Sequence, residues 1–169
     1  MPRPDLNRVP VFYHNYINQV PESNLMKAMK DQTTSFIKFL KKIPVEKRNY
    51  RYAKGKWTIK EMLQHIIDTE RIFAYRALCI ARQDKTAFPG FNENEYADSS
   101  KAAKRNWDDL VEEFKAVRRS NEILIGSFDK KQLDTNGTSS GNPVYVLGIC
   151  FTIVGHINHH VKVLKERYL

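Results

Sequence analysis

Apolar residues recur at three- and four-residue intervals along most of this chain, the spacing that lines one face of an α-helix. From about Glu22 to Lys42 the repeat is carried by Leu25, Met29, Phe36, Ile37 and Leu40, with Pro21 placed to start the helix and Pro44 to end it. A second helix is expected from Thr58 to about Arg82. Thr58 and Glu61 form its T-x-x-E capping box, in which each side chain bonds the other residue's backbone N–H. A third is expected from about Lys101 to Ser127 on a stripe of Trp107, Leu110, Val111, Phe114, Val117 and Leu124. After the Gly/Ser/Asn-rich loop TNGTSSGNP comes a fourth, from about Val144 to Tyr168. The N-terminal VFYHNYINQV adds a short helical or extended piece, and no strand-like alternation or internal repeat is present.

Four amphipathic helices joined by loops define an all-α, four-helix bundle. At 169 residues the chain fits one domain, residues 1–169, because a second would leave each half near the lower limit for its own core. The polar, Pro-Gly-containing stretch QDKTAFPGFNENEYADSS separates the second and third helices by roughly 17 residues, a length that carries function or lets the chain cross the bundle.

Composition narrows the partners. No apolar run reaches the length of a membrane span, and the N-terminus MPRPDLNRVP lacks the apolar core of a signal peptide, so a cytoplasmic protein is expected. Cys79 and Cys150 lie far apart within apolar stretches, as buried thiols in a reducing compartment do. The balance of 28 basic to 19 acidic residues gives a net charge of +9. The basic residues are nevertheless scattered, with no nucleic-acid-binding motif, which argues against a nucleic-acid partner.

The chemistry concentrates in histidine. Three of the five histidines fall in HINHH, residues 156–160. His156 and His160 stand one helical turn apart on one flank of the apolar face, so two imidazoles can reach a single ion. His159 points away, toward solvent or a partner subunit. His65 occupies the corresponding flank of the second helix. On spacing alone, a hydrogen-bonded core histidine and a metal ligand both remain open. Glu70 falls within the apolar face of the second helix, where an unpaired carboxylate is costly to bury. It is a candidate general base, a partner for a substrate amine or half of an ion pair, with Arg71, Arg76 and Arg105 as partners. Glu61, one turn before His65, is a candidate outer-shell acceptor for an imidazole N–H, in competition with its capping role. Tyr13, Tyr16, Phe88, Phe91 and Tyr96 are candidates to close over the site or to pack the lid onto the bundle.

Nearly the whole chain resembles the DinB superfamily of small bacterial metal-binding proteins. The similarity is carried by YRYAKGKWTIKEMLQHIIDTERIFAYRALCIAR, PGFNENEY, GTSSGNPVYV and GHINHHVKVLKERYL. In that family a histidine of the second helix and an H-x-x-x-H pair of the fourth bind one divalent ion, with water at the other positions. The resemblance assigns these places to His65, His156 and His160. It also implies an up-down-down-up helix order with a long crossover between helices 2 and 3, and a homodimer. Some members transfer a low-molecular-weight thiol; others have no assigned reaction.

Three neutral ligands leave the ion's full charge available to whatever occupies its open positions. Zinc and nickel suit such a nitrogen set. The leading expectation is a low-molecular-weight-thiol S-transferase. The alternatives are a metal-dependent hydrolase of unknown substrate and a non-catalytic metal-binding stress or interaction protein.

Overall fold

The computed structural model describes residues 3–169, and its helix ends are set by side-chain caps more than by prolines. A short helix, α1 (Val11–Asn18), precedes α2 (Leu25–Lys41). Asn24 starts α2 by accepting the Lys27 N–H at 3.0 Å, so the helix begins inside the boundary expected from Pro21. The second expected helix is α3 (Ile59–Ala81), with the Thr58–Glu61 capping box complete in both directions.

The third expected helix is divided. The long connection after α3 contains α4 (Glu93–Ser100), and Lys101 then adopts a left-handed conformation (φ 53°) that no α-helix can continue through. A single 3₁₀ turn follows before α5 (Trp107–Gly126) starts at Asn106, whose side chain accepts the Asp108 N–H. Asp108 and Asp109 place negative charge in the first turn, where the helix dipole favours it.

A short helix, α6 (Lys130–Leu133), leads into two strands, β1 (Asn136–Ser139) and β2 (Asn142–Tyr145), which the chain's lack of alternation did not suggest. The strands pair antiparallel, with Asn136 opposite Tyr145 and Ser139 opposite Asn142. Ser140 and Gly141 make the two-residue turn with φ of 51° and 73°, the pair of positive angles that a tight hairpin requires. Ser140 N–H donates to the Phe88 carbonyl at 2.8 Å, and Phe88 N–H donates to the Thr138 carbonyl at 3.1 Å, so the hairpin grips the α3–α4 connection near its middle. The last helix is α7 (Val146–Arg167).

Each long helix packs on two others: α3 on α5 and α7, and α2 on α5 and α7. Particular contacts fix the levels. The Tyr168 hydroxyl after α7 donates to the Trp57 carbonyl before α3, Thr33 of α2 bonds Glu122 of α5, and Arg71 of α3 pairs with Glu113 of α5.

Two apolar clusters fill the interior. One joins Tyr13, Ile17, Met29, Phe73 and Phe151; the other joins Phe36, Ile66, Trp107, Phe114 and Leu164. Between them lies a polar layer to which all four long helices contribute. Arg118, fully buried, sets its guanidinium 2.7 Å from one oxygen of buried Glu70 and donates to the other at 2.9 Å. Asn121 donates to Glu70 at 3.3 Å, Arg118 donates to Gln32, and Gln32 donates to the Val154 carbonyl of α7 at 2.6 Å. Glu70 is therefore half of an ion pair, and its partner is none of Arg71, Arg76 or Arg105. Among the described residues, no helix is long and apolar enough to cross a membrane.

Candidate metal centre

Three imidazoles converge between α3 and α7. His65 comes from the first half of α3 and His156 and His160 from α7; all three are buried. His156 Nε2 lies 3.0 Å from His65 Nε2 and 3.0 Å from His160 Nε2. One ligand atom from each residue falls within 4.8 Å of the other two, so the three can hold one ion. Among the described residues this is the one such group. Nitrogens bound at about 2.1 Å to a common ion, nearly at right angles, stand roughly 3 Å apart, so the span fits.

Burial and mutual repulsion keep the site uncharged. Desolvation, aided by His159, lowers the pKa of His65 to about 4. Desolvation and then the neighbouring imidazoles push His156 and His160 well below the usual histidine range. Near neutral pH all three rings therefore offer lone pairs, and nitrogen lone pairs converging at this distance call for a cation or a shared proton. Among the described residues, no carboxylate joins them. Glu61 is engaged in the capping box, its Oε2 accepting the Thr58 N–H at 2.7 Å, and Glu70 faces Arg118. His160 Nδ1 has no hydrogen-bond partner among the described residues.

The triad forms part of the wall of a cavity of about 280 Å³. Of the aromatics expected to close over it, Tyr13, Tyr16 and Phe91 line this cavity; Phe88 and Tyr96 do not. Phe88 is instead held by the hairpin. Trp57 and Phe73 also line the cavity, without having been anticipated. The Trp57 ring lies 4.6 Å from that of His65. Both had a signal: Trp57 directly precedes the cap of α3, and Phe73 follows His65 by two turns on the same face. Tyr16 stacks edge-on to both His156 and His159, which leaves His159 half-buried and outside the triad. Gly155 makes this contact possible, because a Cβ there would meet the Tyr16 carbonyl oxygen at 2.0 Å. A second cavity of about 330 Å³ shares Trp57, Asn94 and His160 with the first and adds Lys56, Tyr52, His159 and Tyr168.

A family model described as the DinB superfamily matches residues 28–164, and the chain belongs to that superfamily. Among solved structures it is similar to YfiT from Bacillus subtilis, with 12% identity and a TM-score of 0.69 over 98% of this chain and 90% of that one. YfiT is described as a probable metal-dependent hydrolase with an unusual four-helix bundle topology. At this identity the likeness concerns the fold. No curated protein matches the chain.

Proposed function

We propose that residues 1–169 form one DinB-like domain that acts as a metal-dependent enzyme on a small electrophile, with its ion held by His65, His156 and His160. The convergence of three buried, uncharged Nε2 atoms on one cavity carries this reading. A divalent ion bound there supplies a positive charge that lowers the pKa of a water or thiol beside it. The chain's own residues do the rest. The three imidazoles stay neutral and fixed in the bundle wall, while Trp57, Tyr16 and Phe73 surround the reacting space with low-polarity surface that strengthens charge interactions within it. Zinc or nickel fits the all-nitrogen set.

Thiol S-transfer is the preferred reaction. Two cavities meeting at His160, Trp57 and Asn94 give room for a low-molecular-weight thiol and an electrophile together. Hydrolysis is the second reading, supported by the description of YfiT. An up-down-down-up order with residues 82–106 as the crossover is supported by contacts at helix ends: Tyr168 after α7 bonds Trp57 before α3, Lys60 at the start of α3 donates to the Arg105 carbonyl before α5, and Met26 at the start of α2 packs against Gly126 at the end of α5. Two free cysteines fit a reducing cytoplasm, and a homodimer follows the family resemblance.

The test is elemental analysis followed by an assay. Purified protein is expected to carry about one divalent ion per chain; His65→Ala, His156→Ala and His160→Ala each lose most of it, and His159→Ala keeps it. Full metal in all three ligand variants overturns the site. Loaded protein is then given an electrophilic substrate with and without thiols. Thiol-dependent turnover supports transfer, thiol-independent turnover supports hydrolysis, and no turnover leaves a non-catalytic metal-binding protein.

A further inference from the structure

His65, Thr69 and Phe73 follow one another at four-residue intervals along α3, and all three line the 280 Å³ cavity. Thr69 is only 2% exposed, yet its Oγ1 has no hydrogen-bond partner among the described residues. A threonine within a helix ordinarily returns its hydroxyl to the carbonyl four residues back. Three others in this chain do so: Thr33 to Met29 at 2.8 Å, Thr34 to Lys30 at 3.1 Å and Thr152 to Gly148 at 2.9 Å. Thr152 is fully buried and satisfied, so burial does not by itself deprive a threonine of that bond. A buried hydroxyl without a partner is unfavourable, and valine would fill the same volume without that penalty. The polar atom on this wall is therefore suited to a partner that the chain does not supply.

We propose that the Thr69 hydroxyl is a ligand-binding group that hydrogen-bonds the donor atom of a small ligand seated among His65, His156 and His160. The ligand class is a small oxygen, sulfur or nitrogen nucleophile carrying negative charge, such as hydroxide, a thiolate or azide. The hydroxyl donates to that charge, and a hydrogen bond to a charged atom is stronger than one between neutral groups. This inference rests on the metal site proposed above and adds to it the residue that orients what the ion receives.

Azide binding to cobalt(II)-loaded protein, followed by visible absorption, tests it on the wild type, Thr69→Val and Thr69→Ser. All three are expected to take about one cobalt per chain. The azide dissociation constant should rise about tenfold in Thr69→Val and stay close to wild type in Thr69→Ser. Metal-free Thr69→Val should melt at or above the wild-type temperature, since it removes an unpaired buried hydroxyl. Equal azide affinity in the valine variant, no azide binding to loaded wild type, or a valine variant that melts well below wild type overturns the assignment. Failure of wild type to take cobalt instead sinks the metal reading itself, so the two failures are separable.

Discussion

Glu70 and Arg118 bury opposite charges in the middle of the bundle, where each depends on the other. Taking two ions out of water is expensive, and their mutual attraction offsets that only while the geometry holds. Glu70→Ala is expected to lower stability by about 3–5 kcal/mol, because it strands a fully buried guanidinium. The double variant Glu70→Leu/Arg118→Met should recover most of that loss, since an apolar pair of similar volume removes the desolvation penalty. Urea unfolding of the single and double variants measures both, and a double variant as unstable as the single would show that the pair holds more than itself together. The sequence revealed that Glu70 sits on an apolar face and so needs a partner, but not which one. The three arginines that the sequence offered as partners are occupied elsewhere: Arg71 and Arg105 pair with Glu113, and Arg76 donates to the Pro89 carbonyl. The partner comes from 48 residues along the chain, a distance at which periodicity carries no information.

Helix α1 covers the site by lying directly on α7, and Gly155 sets how closely it can approach. Gly155→Ala would place a methyl group against the Tyr16 backbone, which cannot rotate away as a side chain could. Overpacking of this kind destabilises by about 1–3 kcal/mol. The expected result is a lower melting temperature and faster proteolytic cleavage between α1 and α2, with the far-ultraviolet helical signal of the bundle retained. Unchanged proteolysis would mean that α1 tolerates the displacement. The four long helices were legible because each repeats its apolar stripe over many turns. Shorter elements were less so. The hairpin strands are only four residues each, too short for alternation to stand out, and their signal was the Ser-Gly turn alone. The break at Lys101 follows from a backbone angle, which residue type did not signal.

Two apolar clusters flank the polar layer, so the bundle has a core that does not depend on an ion. Chelated protein is expected to keep its helical circular dichroism at room temperature, unlike small zinc domains that unfold when stripped. Loss of that signal would make the site structural. Acid should act on the metal-free form through the same histidines. Above about pH 6.5 they are neutral both folded and unfolded and contribute no pH dependence. Below it the unfolded chain takes up protons that the folded one refuses until its own lowered pKa is reached, so stability falls as pH drops. His65, lowered to about 4, accounts for a loss of roughly 3 kcal/mol between pH 6.5 and 4. Thermal melts across that range measure it, and a midpoint independent of pH would contradict the burial of neutral imidazoles. The H-x-x-x-H spacing and the flank of His65 marked the three histidines as candidates, and the family resemblance was needed to bring them to one place. Their cavity was less readable, because Trp57, Phe73 and Thr69 acquire their roles only through the packing of α1 and α3 around α7.

His65 and His156 are separated by 91 residues, and their meeting has a consequence for the order of events during folding. Closing so long a loop carries an entropic penalty that contacts between whole helices must offset, since a weakly held ion on one imidazole cannot. If the triad holds an ion as proposed, capture is expected to follow docking of α7 and not to nucleate it. In stopped-flow experiments, added zinc should leave the refolding rate unchanged and slow unfolding, as expected for an interaction absent from the transition state. Zinc that accelerates refolding would reveal early assembly of the triad. Of the three proposed ligands, a nascent chain emerging from the ribosome offers only His65 until α7 has appeared, so loading is expected to wait for α7.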